Sequence, residues 1–102
     1  MSEDAGEPHV VELSFKARNA LRTLADEAKA QGKQFSLVDI LKTAMKHLTR
    51  NPTEWGEPSH KTRKTGGMVY TGLSRPISVQ YVTYPDEKLV VILDVRRYAA
   101  WT

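Results

Sequence analysis

The sequence predicts an α+β domain of order β-α-α-β-β-β, in which a helical hairpin packs on one face of a small antiparallel sheet. Three observations carry that expectation. A short alternating stretch opens the chain at His9–Phe15, and two segments between Lys16 and Arg50 repeat their apolar residues every three or four positions. From Met68 to Val95, β-branched and aromatic runs are separated by glycine and proline breaks. A chain of 102 residues is long enough for one core and too short for two. Residues 9–102 are therefore read as a single domain and residues 1–8 as an acidic disordered tail.

In the opening strand, His9-Val10-Val11-Glu12-Leu13-Ser14-Phe15, alternation puts Val11, Leu13 and Phe15 on one face. The first helix begins at Lys16 and buries Ala17, Leu21, Leu24, Ala25 and Ala28. Gly32 closes it, and Ser36, with Asp39 three residues on, starts the second helix. That helix carries Leu37, Ile40, Leu41, Ala44, Met45 and Leu48 as its stripe. It ends at Arg50-Asn51-Pro52, because proline disfavours helical geometry in the residue before it. The next segment, through Pro58, is an ordered connection anchored by Trp55. Ser59 to Lys64 is extended, Gly66-Gly67 makes a turn, and Met68 to Leu73 forms a strand broken at Ser74-Arg75-Pro76. Ile77 to Tyr84 and Leu89 to Val95 are then joined by a turn at Pro85 to Lys88, and the last strand, apolar on both faces, is central.

Composition removes several function classes. The chain has no cysteine, so disulfides, thiolate metal sites and cysteine nucleophiles are excluded. His9, His47 and His60 are too scattered for a metal site, and no metal or other cofactor is expected. Gly72-Leu73-Ser74 lacks the glycine pattern of a serine nucleophile elbow. No apolar run approaches the roughly 20 residues of a membrane-spanning helix, and the acidic N-terminus lacks the basic start of a secretory signal, so a cytoplasmic location is expected. The formal charge is +3, and setting aside the tail acids Glu3, Asp4 and Glu7 raises the excess to six, which suits a polyanionic partner.

The densest basic run is His60-Lys61-Thr62-Arg63-Lys64, and no acidic residue occurs from Pro58 to Pro85. In an extended segment, Lys61 and Arg63 point the same way and supply phosphate contacts. The other reading is an edge strand that uses charge against aggregation. Arg96-Arg97-Tyr98 follows the central strand, where arginine forks hold a phosphate and a tyrosine stacks on a base. The alternative is that Arg96 pairs with Asp94 while Tyr98 and Trp101 close the core. Tyr70, Tyr81 and Tyr84 qualify as stacking platforms only on a sheet face that the helices leave open.

The element order resembles that of the RelE/ParE toxin superfamily, and two segments are similar to it: Val10-Val11-Glu12-Leu13-Ser14-Phe15-Lys16-Ala17 at the start, and Val79-Gln80-Tyr81-Val82 through Leu89–Val95 to Arg96-Arg97 at the end. The resemblance implies a toxin of a toxin–antitoxin pair that cleaves messenger RNA on the ribosome or, in the ParE branch, acts on gyrase, with a small antitoxin as partner. It further implies metal-independent phosphodiester cleavage, with Arg63, Arg75 and Arg97 stabilising the transition state and Tyr98 or His60 moving a proton. RNA contacts would then come from His60, Lys61, Lys64 and Arg96. The sequence departs from the cleaving branch at Ser78, where those toxins carry an arginine. That departure favours a binding module without cleavage.

Overall fold

The computed structural model describes residues 8–101, so most of the expected acidic tail, residues 1–7, lies outside the described part, as does residue 102. The elements are β1 (Val10–Leu13), α1 (Phe15–Ala30), α2 (Gln34–Arg50), α3 (Pro52–Trp55), β2 (Glu57–Lys61), β3 (Met68–Ser74), β4 (Ile77–Tyr84) and β5 (Leu89–Arg97), with a short 3-10 turn at Pro85–Glu87 before β5. The α+β arrangement with helices on one sheet face is as expected. The sheet, however, is mixed rather than antiparallel. Its order is β1-β5-β4-β3-β2, and β1 runs parallel to β5. The chain leaves β1 through the helices, enters the sheet again at the far edge, and winds back by hairpins until β5 meets β1 in the same direction. Among the described residues, no helix is long and apolar enough to cross a membrane.

The strand ends at Leu13, two residues earlier than alternation suggests, because of Ser14. Its Oγ accepts from the Ala17 N–H at 3.0 Å and donates to the Leu93 carbonyl at 3.1 Å, so Phe15 becomes the first helical residue and is 79% exposed instead of facing the core. In α1, Ala17, Leu24 and Ala28 are buried and Leu21 half-buried, while Ala25 is exposed. Gly32 takes the left-handed conformation (φ 67°) expected past a helix end. Helix α2 starts before Ser36, at Gln34, without a side-chain cap. Leu37, Ala44 and Leu48 are buried in it, and Met45 is on its surface.

The connection after α2 contains a helical turn that the sequence reading leaves irregular, with Pro52 in its first turn, where the missing N–H has no helical partner to lose. Trp55 is the anchor expected of it. Its ring stacks between His47 and Tyr81, and Tyr81 stacks in turn on Tyr70. The buried Tyr81 hydroxyl donates to the Pro52 carbonyl and accepts from the Gly56 N–H at 3.0 Å, which ties α3 to the sheet. Burial pushes the Tyr81 phenol up to about 12, so it is a neutral donor. Gly72 is required beneath this stack, because a Cβ there would lie 2.6 Å from the Trp55 ring.

The core lies between the helices and the β4–β5 centre of the sheet, built on Ile77, Val79, Tyr81, Val90, Ile92 and Val95. Strand β5 carries an irregularity there. Gln80 pairs with Asp94, yet the next residue, Tyr81, pairs with Ile92, leaving Leu93 as an extra residue. The carbonyls of Ile92 and Leu93 at this bulge receive the Ser14 N–H and hydroxyl, so the bulge seats the start of α1. It also reverses the phase of β5: Ile92 and Val95 both join the core.

Candidate nucleic-acid interface

The reversed phase determines what the open face of the sheet displays. Thr71, Gln80 and Asp94 stand abreast on β3, β4 and β5, and Leu73, Ser78 and Arg96 form the next row. Thr71, Ser78, Gln80, Asp94 and Arg96 line a polar hollow of about 240 Å³. Asp94 is only 7% exposed. One carboxylate oxygen accepts from the Val95 N–H at 2.9 Å, the other accepts from Arg96 Nε at 2.8 Å, and Lys16 Nζ lies 3.6 Å away. Burial alone pushes this carboxyl up, but the hydrogen bonds from Arg96 and Val95 and the charges of Lys16 and Arg96 outweigh it and hold Asp94 below the ordinary carboxylate range.

A depressed folded-state value means that the ionised group stabilises the fold at pH above its unfolded value, near 3.8, and that this contribution is lost as pH falls through the folded value. Acid titration is expected to show the wild type losing stability below about pH 4, with a smaller loss for Asp94→Asn. Equal acid sensitivity in the two proteins would contradict that role.

The expected site residues divide into groups that do not meet. His60 pairs with Val69 and shares its open-face side, whereas Lys61 pairs with Met68 on the opposite phase. Arg63 and Lys64 lie past the end of β2 in the turn at residues 62–67, so the expectation that Lys61 and Arg63 share a strand face is not met. Thr62 closes this turn: its N–H donates to the Gly67 carbonyl at 2.7 Å and its Oγ1 accepts from the Gly67 N–H at 2.9 Å. Thr65 is hydrogen-bonded to the Tyr84 hydroxyl at 2.9 Å. Arg75 sits in the β3–β4 turn, at the other end of β3, so about 20 Å of strand separates it from Arg63.

Arg97 pairs with Ile77 on the helix side. Its Nε donates to Glu27 on α1 at 3.4 Å, another N–H donates to the Ala99 carbonyl at 2.9 Å, and its guanidinium lies 5.7 Å from the Trp101 ring centre. Tyr98 is 47% exposed and its N–H donates to the Pro76 carbonyl beside the Arg75 turn. Of the four residues expected to act on one phosphate, Arg63 is thus held apart by the length of β3 and Arg97 is turned to the helix side, while Tyr98 stays beside the Arg75 turn. Arg96 does reach the open face, where it is paired with Asp94 as the alternative reading has it. Among the tyrosines, Tyr70 and Tyr81 lie under α3, leaving Tyr84, which lies on the side of the sheet away from the helices, with its ring against Gly67 and its hydroxyl tied to the basic turn.

Thr71 and Gln80 escape sequence reasoning because nothing in a strand pattern marks a polar residue as lining a hollow. Asp94 is placed there only by the bulge. On the opposite side, an apolar cleft of about 180 Å³ is lined by side chains including Leu13, Leu21, Leu41, Met45 and Ile92.

No known family matches the sequence, and no curated protein does. A solved chain from the toxin–antitoxin complex RelBE2 of Mycobacterium tuberculosis matches over 93% of this chain and 97% of its own length, with a TM-score of 0.68 and 23% identity. The protein has the fold of a RelE-like toxin.

Proposed function

We propose that this chain is the toxin-fold member of a toxin–antitoxin pair and that it binds RNA along its open sheet face, in the cytoplasm, without cutting it. The observation that carries the reading is the arrangement of charge. Arg63, Lys64 and Arg75 occupy turns of the β2–β4 half of the sheet, with Lys61 at the end of β2 on the helix-side phase, in a segment from Pro58 to Pro85 with no acidic residue. They lie at its two ends, with the polar hollow between, an arrangement that tracks a phosphate backbone rather than gripping one phosphate. Tyr84 beside the basic turn adds a ring on which a base can stack.

Cleavage needs a base and cations around one phosphodiester. Among the described residues, the strands of the open face offer instead His60 at the outer edge and one arginine, Arg96, neutralised by Asp94, with Ser78 where the cleaving branch carries an arginine. An antitoxin segment would occupy the apolar cleft between α1 and α2. The expected result with translating ribosomes is that the protein retains messenger RNA at low salt and leaves it intact. Mapped cleavage ends would overturn the non-cleaving reading, and failure to retain any RNA would overturn RNA binding.

A further inference from the structure

We propose that the hollow formed by Thr71, Ser78, Gln80, Asp94 and Arg96 is a base-reading pocket selective for guanine, with Asp94 as the residue that sets the selectivity. The inference rests on the RNA-binding reading and deepens it. The hollow sits where the open face is most polar, and its floor is an ionised carboxylate, which repels a phosphate and favours hydrogen-bond donors.

Each Asp94 oxygen receives one hydrogen bond from the protein, from the Val95 N–H and from Arg96 Nε, and a carboxylate oxygen has two acceptor sites. The oxygen bound to Val95 therefore keeps one for a ligand, and the other keeps one once the exposed Lys16 ammonium, 3.6 Å from it, turns to solvent. Among the RNA bases, only guanine presents two adjacent donors, N1–H and N2–H, on its Watson–Crick edge, with the O6 acceptor next to them. The carboxylate takes the two donors, and the terminal N–H groups of Arg96, whose Nε alone is engaged with Asp94, give to O6. Adenine turns its N1 lone pair toward the carboxylate. Uracil offers one donor flanked by two acceptors, and cytosine one amino donor at the end of its edge with the N3 and O2 acceptors beside it. Thr71, Ser78 and Gln80 line the walls with hydroxyl and amide groups that can meet the remaining base or ribose atoms. Ser78 fits the same picture, since an arginine there would fill the hollow and add a third cation beside Asp94, after Arg96 and Lys16. The depressed pKa of Asp94 keeps the carboxylate ionised at neutral pH.

The test uses the full chain and fluorescence anisotropy at one fixed salt concentration, with single-stranded oligouridylate carrying a central G, A, C or U. The G oligonucleotide is expected to bind about tenfold tighter than the others. Asp94→Asn, which exchanges one acceptor for a donor and removes the negative charge that repels phosphate, is expected to abolish that preference, so that all four oligonucleotides bind alike. Should this variant fail to fold, Gln80→Leu, which replaces an amide lining the hollow with an apolar group, is expected to reduce the preference by at least about fivefold. Equal binding of all four oligonucleotides, or a preference that survives both substitutions, overturns the pocket while leaving RNA binding in place. Guanosine monophosphate is expected to compete with the G oligonucleotide and adenosine monophosphate is not. Binding of guanosine monophosphate with no oligonucleotide bound would retain the pocket as a free-nucleotide site and overturn the RNA reading. No binding of either kind overturns both.

Discussion

Replacing Tyr81 with alanine is expected to lower the unfolding free energy by about 4 kcal/mol. Tyr81 is fully buried at the centre of β4 and sits between Trp55 and Tyr70 in a run of parallel rings that begins at His47. Removing it opens a cavity beneath α3, deletes two stacking contacts and frees both the Pro52 carbonyl and the Gly56 N–H. Tyr81→Phe separates these effects. The ring and its volume remain while the hydroxyl is lost, so the expected cost is about 1–3 kcal/mol, the range for leaving buried polar groups unpaired. Urea denaturation of the three proteins measures both values. An alanine variant within about 1 kcal/mol of the wild type would show that α3 is not held to the sheet by this residue.

The second large effect concerns binding. Converting Lys61, Arg63 and Lys64 together to glutamine is expected to weaken single-stranded RNA binding by about a hundredfold at low salt, and to flatten the dependence of log affinity on log salt by about 2 units, if each cation displaces one counterion. All three side chains are exposed at the end of β2 or in the turn after it, so melting temperature should be unchanged. Arg97→Gln is expected to do the reverse. That guanidinium is tied to Glu27 and Ala99 on the helix side, so its loss should lower stability and leave RNA affinity intact. An Arg97 variant that binds RNA as poorly as the triple variant would show that the ligand runs over the other side of the sheet.

Much of the architecture can be read from local pattern. The helical hairpin follows from the spacing of Ala17, Leu24 and Ala28 and of Leu37, Ala44 and Leu48, and the last two strands from their β-branched runs. Trp55 stands out as an anchor because a large ring amid prolines and a glycine has little else to do. The errors arise where a contact distant in sequence decides a local feature. Ser14 turns the chain into α1 with help from Leu93, so Phe15 cannot be assigned to the strand or helix from its neighbours alone. The parallel β1–β5 pair is likewise invisible to a reading that joins consecutive strands by hairpins.

The bulge at Leu93 matters most for function. Uninterrupted alternation from Val90 and Ile92 would turn Asp94 and Arg96 toward the helices and Arg97 toward the open face. One extra residue exchanges them. This is why the sequence directs attention to Arg97 as an RNA-facing group, and why the structure gives that face to Asp94 and Arg96 instead. Arg63 and Arg75 are separated for a simpler reason: charge clustering in sequence carries no information about which end of a strand a turn occupies.

The most direct test of RNA binding by the open face is nitrogen-15 NMR of the labelled protein titrated with a short single-stranded RNA. Amide shifts are expected to change along Thr71, Ser78, Gln80 and Arg96 and in the turn around Arg63, while α1 and α2 stay unperturbed. Shifts confined to the helices and the cleft between them, or no shifts at saturating RNA, would contradict it.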